Sequence, residues 1–559
     1  MKRSLSMLPL VLAAVLAVAA PASAAPSRDV VADDLGLPLR GWAVIGRPGL
    51  RQVRVDVRNP YAIDGRSLSL TGGGSIARPM PPRPWSLSLD VRLARRAILR
   101  IHLGGEPLML AQRSDGTLTV RSGDASARLP RATAPGGWRH VEVAGFDPVE
   151  IHVDGTRIPH EVTQASGIEL RTLRRTAQVT GLVATRRDDR RALLLHRLAS
   201  IHSRTPARRY PVGTGADGVL RFESGRDDGF YAGALWDAYG VTGARLFRDW
   251  GERATFDHMF RTRSEVPPVH WEGLRFYESS AQADERTCHP TRPEHRCRLF
   301  RKSTTSTPLY GLWVLNSGTG TIPTVLWPGR CPSCASADEV ETRVETMLDV
   351  ALFEWNHRLA ENSRRANPGI RADESPLEDA ALRHADGVAR LLVRADGSTA
   401  ESVRTSRLDG TVLSYEHSSA AGSDTTWARG HAAALYGFAR MGRRFGERGL
   451  VATGERLARY LDANLPASRV PPHDYSAPAG PADPDAGALY AAGLLRLADA
   501  CARLDGACDD GPRWRSLGVA MLDAWLGRLA AHPPIGSSPE GETLLGIDYA
   551  LEAIERSAG

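Results

Sequence analysis

The stretch Asp424-Thr-Thr-Trp-Ala-Arg-Gly-His-Ala-Ala-Ala-Leu-Tyr-Gly-Phe-Ala-Arg440 is the part of the sequence from which the fold is most readily inferred. Its first three residues can each cap a helix by accepting a backbone N–H bond, and the apolar remainder favours a closely packed helix. Trp427 and Arg429 fall in the first turn, where helix starts commonly meet ligands. A ring beside a guanidinium suits a sugar acid, because the ring covers an apolar sugar face while the guanidinium binds the carboxylate. The alternative is a buried helix whose Trp is core and whose Arg forms a surface ion pair.

Length and charge limit the possible classes of protein. A chain of 559 residues predicts two or three domains. The net charge is +7, from 71 basic and 64 acidic residues. No run of basic residues interleaved with aromatics marks a nucleic-acid surface, so nucleic acid is not expected as a partner. The mild positive charge fits an anionic polysaccharide.

The N-terminus has the pattern of a Sec-type signal peptide. Lys2 and Arg3 precede an apolar run from Met7 to Ala20, and the run is followed by an Ala-Ser-Ala cleavage site at residues 22–24. The run is too short for a membrane span, and no later stretch is long and apolar enough for one. We therefore expect residues 1–24 to be removed and the mature protein to be secreted.

The six cysteines fall into three local pairs, which fits an oxidising compartment. For the Cys-Pro-Ser-Cys segment a zinc site is the weaker interpretation, because no second pair or His cluster of suitable spacing follows. We expect three disulfides, no metal and no cofactor. The expected pairs are Cys288 with Cys297, Cys331 with Cys334, and Cys501 with Cys508.

Residues 42–200 show short alternating segments separated by turn signals, a pattern typical of an antiparallel sandwich. The predicted strands include Ser86–Leu93, Ile98–Leu103, Leu118–Ser122, His140–Val143 and Glu150–Val153. The segments at 137–143 and 149–156 resemble the laminin-G/concanavalin-type jelly roll, and a Val-Asp-Gly turn ends the second. Such domains bind glycans, bind proteins or brace a neighbouring domain.

Beyond residue 221 the apolar spacing changes to three and four, which predicts paired helices arranged as a toroid. Val266–Pro332 between them is irregular, and such loops often carry functional sites. The predicted helices are 227–239, Ala244–Phe256, Ser336–Glu361, Leu377–Val393, Trp427–Phe445, Gly449–Asn464, Asp485–Leu504, Arg513–Ala531 and Thr543–Ser557.

Seven ordered segments of this region resemble the unsaturated glucuronyl hydrolases. They are Gly229–Trp236, Val344–Trp355, Val393–Thr399, Trp427–Ala432, Val470–Tyr475, Asp483–Ala488 and Gly546–Ala553. The resemblance implies an (α/α)6 barrel that hydrates the 4,5-unsaturated uronic acid which polysaccharide lyases leave on oligosaccharides.

The resemblance places the family's catalytic Asp on Glu345 and an Asn of the family on Asp349. One acid of this kind protonates C4 and activates the water that adds at C5, which requires a raised pKa. The two residues are four apart, so we expect them on one helix face, and which of them is the acid stays open. The family's second Asp is replaced by Trp271, and Glu272 beside it can supply a carboxylate instead.

The same resemblance suggests substrate-binding residues. Trp427 would stack on the sugar and Arg429 would bind its carboxylate. Three positions depart from the family: Glu401 replaces a His, Ser419 falls near a Gln, and Ala433 replaces a Trp. His417 and His431 are either polar groups of the pocket or ordinary histidines.

The sequence as a whole predicts a multidomain chain: an N-terminal β-sandwich (jelly roll) followed by an all-α (α/α)6 barrel. The predicted divisions are a signal peptide at 1–24, the sandwich at 30–202, a linker at 203–220 and the barrel at 221–559. The predicted function is a secreted glycoside hydrolase acting on unsaturated uronyl oligosaccharides or a related carbohydrate. One alternative is a catalytically altered glycan-binding protein on the same barrel. The other is a polysaccharide lyase, for which Tyr277 and Asn356 are the candidate residues.

Overall fold

A computed structural model of the chain describes residues 30–33, 43–45, 51–54, 66–71, 75–83, 85–102, 107–132, 137–144, 150–154, 156–158, 165–186, 190–206, 209–215, 219–222, 229–261, 271–288, 295–301, 315–324, 334–366, 375–504, 508, 510–531 and 542–557. The predicted signal peptide and Cys331 lie outside these residues. The predictions made for them are therefore not tested.

The N-terminal part of the described chain is built from antiparallel strands. They are β1 (Val30–Asp33), β2 (Ala43–Ile45), β3 (Arg51–Arg54), β4 (Arg66–Leu70), β5 (Ser75–Arg83), β6 (Trp85–Leu93), β7 (Ile98–His102), β8 (Leu108–Gln112), β9 (Leu118–Ser122), β10 (Ala125–Leu129), β11 (Arg139–Ala144), β12 (Glu150–Val153), β13 (Thr156–Ile158), β14 (Ala165–Arg174) and β15 (Ala177–Arg186). One sheet has the order β13-β12-β11-β6-β15-β4-β3, and β1 also pairs with β15. The other has the order β10-β9-β8-β7-β14-β5-β2.

Alternation of apolar residues explains how these sheets pack. Leu87, Leu89 and Val91 of β6 are all fully buried, and they belong to the same apolar cluster as Leu99 of β7 in the other sheet. Residues two apart on a strand face the same side, so the apolar face of each sheet covers the other. The strands predicted around Ile98, Leu118, His140 and Glu150 are confirmed to within one residue at each end.

The C-terminal part is mainly helical. Its helices, with one that precedes it, are α1 (Arg190–Arg204), α2 (Gly229–Thr242), α3 (Arg245–Arg261), α4 (Trp271–Phe276), α5 (Gln282–Thr287), α6 (residues 295–301), α7 (Val350–Ala366), α8 (Ser375–Leu392), α9 (Ala428–Phe445), α10 (Arg448–Asn464), α11 (Pro484–Arg503), α12 (Gly511–Ala531) and α13 (Leu544–Ser557). A π-helical segment, Tyr277–Ala281, joins α4 to α5, and a 3₁₀ helix, Val344–Leu348, precedes α7. None of the helices described is both long enough and apolar enough to cross a bilayer.

Six helical segments of the described chain form a closed ring in the order α2, α4–α5, α7, α9, α11 and α13, and α13 packs on α2 again. Their starts lie at one end of the ring. The first turn of α13 meets that of α11, where a Cβ on Gly546 would lie 2.6 Å from Asp485 Oδ1. The first turn of α9 meets the residue before α11, since Arg429 is paired with Asp483. The helices that alternate with them in the chain, α3, α8, α10 and α12, pack against the ring.

The predicted fold class, a jelly-roll β-sandwich followed by an all-α (α/α)6 barrel, is wrong in that form. The helical part contains two three-stranded antiparallel sheets, so it is not all-α. The first sheet consists of β16 (Pro211–Thr214), β17 (Leu220–Phe222) and β21 (Glu542–Thr543); the second of β18 (Glu339–Arg343), β19 (Ser402–Ser406) and β20 (Val412–Glu416). What the structure supports is a region rich in antiparallel sheet, followed by a helical part consistent with an α/α barrel.

The strand-rich and helical parts are also in close contact. Helix α1 packs on β15 and β6 and contacts α12 and α13. Ser203 Oγ donates to Asp90 Oδ2 at 3.3 Å, and His140 Nδ1 lies 2.9 Å from Asp90 Oδ1. Burial raises the pKa of Asp90, although the hydrogen bond from His140 opposes the shift. A buried polar cluster of this kind fixes how the sheet meets the helices.

Two local predictions are corrected by the structure. The predicted helix Ser336–Glu361 is instead β18, the 3₁₀ helix and α7. The alternating sequence Glu-Val-Glu-Thr-Arg at 339–343 was the signal for a strand, and Val340 and Thr342 face inward. Helix α9 is not capped by a side chain from the residues at 424–426, because its N-cap residue is Trp427. Two expected disulfides, Cys288–Cys297 and Cys501–Cys508, are present.

Two glycines of α9 allow the 3₁₀ helix to lie directly against it. A Cβ on Gly430 would be 2.7 Å from Val344 Cγ1, and a Cβ on Gly437 would be 2.4 Å from the carbonyl oxygen of Met347. The two glycines are seven residues apart, so they lie on the same face of the helix. This close approach lays the 3₁₀ helix along α9, with Val344 at the first turn and Met347 at the middle of the helix.

We predict that Gly437→Ala destabilises the protein by roughly 1–3 kcal/mol, because the added methyl group overpacks the contact with Met347. Intrinsic helix propensity alone would favour alanine by up to about 1 kcal/mol. Gly449→Ala in α10 is the matched control, because a Cβ there meets nothing within 4 Å. Chemical denaturation measures both variants. Equal stability changes at the two positions would contradict the close approach.

Candidate functional site

Two carboxylates, Glu345 and Asp349, lie at the start of α7. Glu345 belongs to the 3₁₀ helix, and Asp349 immediately precedes α7. Each is only 3% exposed. They do not share an α-helical face as predicted, because the chain turns as a 3₁₀ helix between them. They are nevertheless close enough for the charge of Glu345 to act on Asp349.

Asp349 is held against the start of α4. The backbone N–H of Leu274 donates to Asp349 Oδ1 at 3.2 Å, and a Cβ on Gly273 would lie 3.0 Å from the same oxygen. Burial raises the pKa of Asp349 well above its usual range; the bond from Leu274 opposes the shift, and the negative charge of Glu345 adds to it. The start of α7 favours the ionised form by at most about 2 kcal/mol. Burying a carboxylate costs several kcal/mol, so burial favours the protonated form of Asp349.

Glu345 is in a different electrostatic environment, because Arg343 Nε lies 2.8 Å from Glu345 Oε1. Arg343 also pairs with Glu401 through Nη2. The adjacent guanidinium compensates the negative charge of Glu345, whereas Asp349 has a backbone N–H and a second carboxylate as its neighbours. The two carboxyl groups therefore differ in their surroundings, the condition under which one keeps a proton and the other stays ionised.

Glu401 was predicted to bind substrate, and the structure shows its carboxylate to be occupied by the protein. It accepts bonds from the backbone N–H groups of Ser418, Ser419 and Ala420, and from the hydroxyl of Ser418. Burial raises the pKa of Glu401, but these bonds and Arg343 outweigh it, so the net effect is a lowered pKa. Glu401 thus fixes the loop 418–420 and orients Arg343.

Arg429 lies at the start of α9 and faces two carboxylates. Its Nη2 is 3.0 Å from Asp483 Oδ1 and 3.4 Å from Asp485 Oδ2. Asp483 also caps α11, accepting from the N–H of Ala486 at 3.0 Å. Its other oxygen lies 3.6 Å from Nδ1 of His473, and His473 Nε2 contacts the carbonyl of Ser419 at 2.9 Å.

These contacts shift two pKa values in opposite directions. The Asp483 carboxylate raises the pKa of His473, although partial burial and the charge of Arg429 oppose the shift. Burial raises the pKa of Asp483, but His473 and Arg429 outweigh it, so that its pKa is lowered. Arg429 and protonated His473 together balance Asp483 and Asp485, and His473 is 40% exposed at this end of the ring.

Trp427 is 3% exposed, so in this structure it is mostly buried beside the 3₁₀ helix. Its ring contacts the position where a Cβ on Gly430 would lie, and its centre is 6.4 Å from that of His473. Trp427 is therefore a core residue in this structure, as the alternative interpretation of the sequence has it, and not an open surface for stacking on a sugar. Arg429, at 28% exposure, is the more accessible of the two.

A continuous path of polar contacts joins the predicted site residues. It runs from Glu345 through Arg343, Glu401, Ser419, His473 and Asp483 to Arg429, and Asp349 interacts electrostatically with Glu345 at its start. Trp271 and Glu272 occupy the first turn of α4, next to the Gly273 that touches Asp349. Their side chains lie outside the described part of the structure, so the role predicted for them stays a prediction.

The remaining candidates lie elsewhere. His431 is fully buried between the carbonyl of Gly397 and the hydroxyl of Tyr490, and burial lowers its pKa to about 4. It is a core histidine. The lyase residues do not form a site: Asn356 donates to the carbonyl of Leu352 in its own helix, and Tyr277 lies under Arg440 in the second half of α9.

Sequence reasoning missed three side chains of the candidate site: the Arg343 guanidinium, the His473 imidazole and the Asp483 carboxylate. Asp483 is followed by proline, and Asp-Pro before an apolar periodic segment is a typical helix start. That signal locates the carboxylate at a helix start. Its pairing with Arg429 depends on the packing of α9 against α11, which local sequence does not reveal.

Comparison with known proteins supports the helical fold. No protein-family model matches the chain. The unsaturated glucuronyl hydrolase of Bacillus sp. (strain GL1) is 26% identical over 356 residues, which is 60% of this chain and 87% of that protein. The crystal structure of the Bacillus sp. GL1 enzyme, described as responsible for the degradation of glycosaminoglycan, superposes with a TM-score of 0.51 at 22% identity, covering 62% of this chain and 90% of that one.

Two further solved structures agree. An unsaturated glucuronyl hydrolase specific for heparin gives a TM-score of 0.53 at 20% identity, covering 66% of this chain and 95% of its own. The Streptococcus agalactiae enzyme gives 0.54 at 16% identity, with coverages of 66% and 91%. The resemblance to unsaturated glucuronyl hydrolases is thus confirmed at the level of fold. The laminin-G/concanavalin resemblance of the N-terminal part is not confirmed by these comparisons.

We predict that Asp483→Asn lowers the pKa of His473, because asparagine keeps the helix cap but loses the charge. A histidine pKa raised by folding stabilises the protein below its unfolded pKa of about 6.5, and this contribution disappears as the pH rises through the folded pKa. The variant should therefore lose more stability at pH 5.5 than at pH 8.

NMR titration of the imidazole measures the pKa, and thermal unfolding at the two pH values measures stability. Asp409→Asn, in the exposed turn between β19 and β20, is the control and should leave His473 unchanged. An unaltered His473 titration in Asp483→Asn would show that the carboxylate does not control this histidine.

Proposed function

We propose that this protein is a glycoside hydrolase that hydrates the C4=C5 double bond of unsaturated uronyl oligosaccharides. The observation that carries the proposal is the buried Asp349, whose pKa is raised by burial and by the charge of Glu345, at the ring end that also carries Arg429. The likeness in fold to the hydrolases compared above, at low identity, supports the reaction class.

In the proposed reaction Asp349 donates its proton to C4 of the vinyl ether. Positive charge then develops at C5, and the Glu345 carboxylate, paired with Arg343, is the proposed group that stabilises it. The Asp349 carboxylate accepts a proton from the water that adds at C5, so the acid is regenerated and the net change is the addition of one water. The resulting hemiketal opens and releases the remaining sugar.

Arg429 and His473 are the proposed groups that receive the uronate. Arg429 carries a positive charge, and so does His473 when it is protonated. Both side chains are more exposed than those of Glu345 and Asp349. A guanidinium forms two parallel hydrogen bonds with a carboxylate, which orients as well as attracts it. The heparin specificity and glycosaminoglycan degradation stated for two of the compared enzymes support an anionic oligosaccharide as the substrate.

We propose in addition that the protein acts outside the cytoplasm. The N-terminal pattern of a signal peptide supports this proposal. The disulfides Cys288–Cys297 and Cys501–Cys508 are also typical of an oxidising compartment.

The unsaturated uronide absorbs in the ultraviolet, and hydration removes the chromophore. We expect the purified protein to abolish this absorbance with at least one disaccharide from a panel produced by lyases acting on different uronic polysaccharides. Mass spectrometry should show the addition of one water. If the whole panel, including heparin- and chondroitin-derived disaccharides, is left unchanged at enzyme concentrations near that of the substrate, the proposed function is wrong.

Asp349→Asn should lower kcat by about 10²–10⁴-fold, the usual contribution of a general acid–base group. The same change should raise stability at neutral pH. A carboxyl group whose pKa is raised in the folded state costs stability progressively as the pH rises above its unfolded value of about 3.9. Asparagine removes this cost and keeps the oxygen that accepts from Leu274.

Activity assays and thermal unfolding between pH 4 and pH 8 measure the two effects together. Asp409→Asn serves again as the exposed control. A purely structural Asp349 would lose stability and activity in parallel. Full activity in Asp349→Asn together with its loss in Glu345→Gln would assign the proton to Glu345 and overturn the assignment made above.

A further inference from the structure

A polar cavity lies at the opposite end of the helix ring from the carboxylate pair. Its volume is about 280 Å³, and we call it the arginine cavity. It is lined by Tyr277, Glu285, Glu354, Arg358, Arg440, Arg443, Arg444, Arg496, Arg503 and Arg556. Along α9, eleven residues separate Arg429 at one end from Arg440 at the other, a rise of about 16 Å. The arginine cavity is therefore distinct from the candidate catalytic site.

The lining carries more positive than negative charge. Among the described residues, five carboxylates contact its seven arginines: Glu285, Glu354, Glu361, Asp499 and Glu552. Ion pairs with carboxylates therefore hold only part of the set, and Arg443 and Arg503 form none among the described residues. Two of the five acids are shared with arginines outside the cavity, since Glu361 also pairs with Arg365 and Asp499 with Arg515.

The arginines differ in how they are held. Arg440 donates to Glu354 at 2.8 Å and lies over the ring of Tyr277 at 4.1 Å, while Arg496 lies 2.6 Å from Glu552. These two are buried, and each pairs with a carboxylate. Arg443 and Arg503 pair with no carboxylate in the described part of the chain, and the buried Nε of Arg443 has no hydrogen-bond partner there.

Repulsion between the arginines is visible at Arg443. Its partial burial lowers its pKa, and the positive charges of Arg556, Arg496 and Arg503 lower it further, while the negative charge of Asp499 opposes the shift. Burial also lowers the pKa of Arg358, and the charges of Arg440 and Arg444 add to the shift, while Tyr277 and Asp284 oppose it. Like charges gathered in one cavity without sufficient acids destabilise the empty state, and a bound anion would relieve that repulsion.

We propose that the arginine cavity binds a sulfate or phosphate group. Guanidinium groups match tetrahedral oxyanions through paired hydrogen bonds, and several of them face one small space here. At a liquid share of about 30 Å³ per water, the cavity holds roughly nine waters, which leaves room for the anion and part of a molecule that carries it. A second cavity of about 650 Å³ shares Tyr277, Glu285, Arg358, Arg496 and Arg556 with it and extends the accessible space.

The ends of the inner helices offer another reason for arginines at this position. The last turns of α9 and α13 contain Arg443, Arg444 and Arg556, and cations near helix C-termini are favourable. That effect falls off within one turn, so it does not account for Arg440 and Arg496, which lie further inside their helices. It also makes a different prediction, because loss of a helix-end cation should destabilise the protein whether or not an anion is present.

The test measures binding to the full-length protein without any assay of activity. Isothermal titration calorimetry is carried out with inorganic sulfate, inorganic phosphate, glucose 6-phosphate and N-acetylglucosamine 6-sulfate, each against chloride of equal ionic strength. Arg443→Gln and Arg503→Gln are compared with Arg95→Gln, a matched change in the exposed turn between β6 and β7. Arg503 is exposed, so its replacement tests the cavity even if Arg443→Gln folds poorly.

We expect saturable binding of at least one of these anions, an increase of the unfolding temperature on binding, and an affinity at least tenfold weaker in Arg443→Gln. If a sugar ester binds more tightly than the matching inorganic ion, the ligand is a phosphate or sulfate group attached to a larger molecule. If the inorganic ion binds more tightly, the ligand is the free ion. The proposal is overturned if all four compounds behave as chloride does. It is overturned equally if Arg443→Gln and Arg503→Gln bind as tightly as Arg95→Gln. Because no unsaturated sugar is involved, this result is independent of the proposed hydrolase activity.

Discussion

The close contact between α9 and the 3₁₀ helix Val344–Leu348 is the constraint on which the candidate site depends. Gly430 and Gly437 remove the side chains that would hold the two apart, so the backbone around Met347 lies against α9. The 3₁₀ helix then delivers Glu345 and Asp349 to the same end of the ring as Arg429. A wider separation would break the path of polar contacts through Arg343 and Glu401, because each of its steps depends on direct contact.

The two ends of the ring have opposite chemical character, although the same helices form both. At their starts, helices α7 and α11 present buried carboxylates; burial raises the pKa of Asp349, whereas His473 and Arg429 lower that of Asp483. Toward their ends, α7, α9, α11 and α13 present arginines around a cavity. Between them, Tyr436, Glu552 and Arg496 form a buried network on the inner face. Polar groups buried in this way must satisfy one another, which restricts how the helices can pack.

Sequence patterns predicted the elements with strong periodicity and missed those defined by tertiary contacts. Helices α8 to α13 and the strands around Leu118 and Glu150 were found to within a few residues, because apolar spacing directly reports which face is buried. Strand β18 was taken for helix because it is short and its partner β19 is some sixty residues away. The roles suggested for Glu345, Asp349 and Arg429 came from a family resemblance, whereas Glu401 looked like a substrate contact until its bonds to the loop 418–420 were known.

The central claim is that Asp349 is protonated at neutral pH in the folded protein. Difference infrared spectroscopy between the wild type and Asp349→Asn at pH 7 measures this directly, since a protonated carboxyl group has a carbonyl band that a carboxylate lacks. The account predicts that the wild type shows such a band and that the variant has lost it. A difference spectrum containing only carboxylate bands would show that Asp349 is ionised, and the assignment of the general acid would then be wrong.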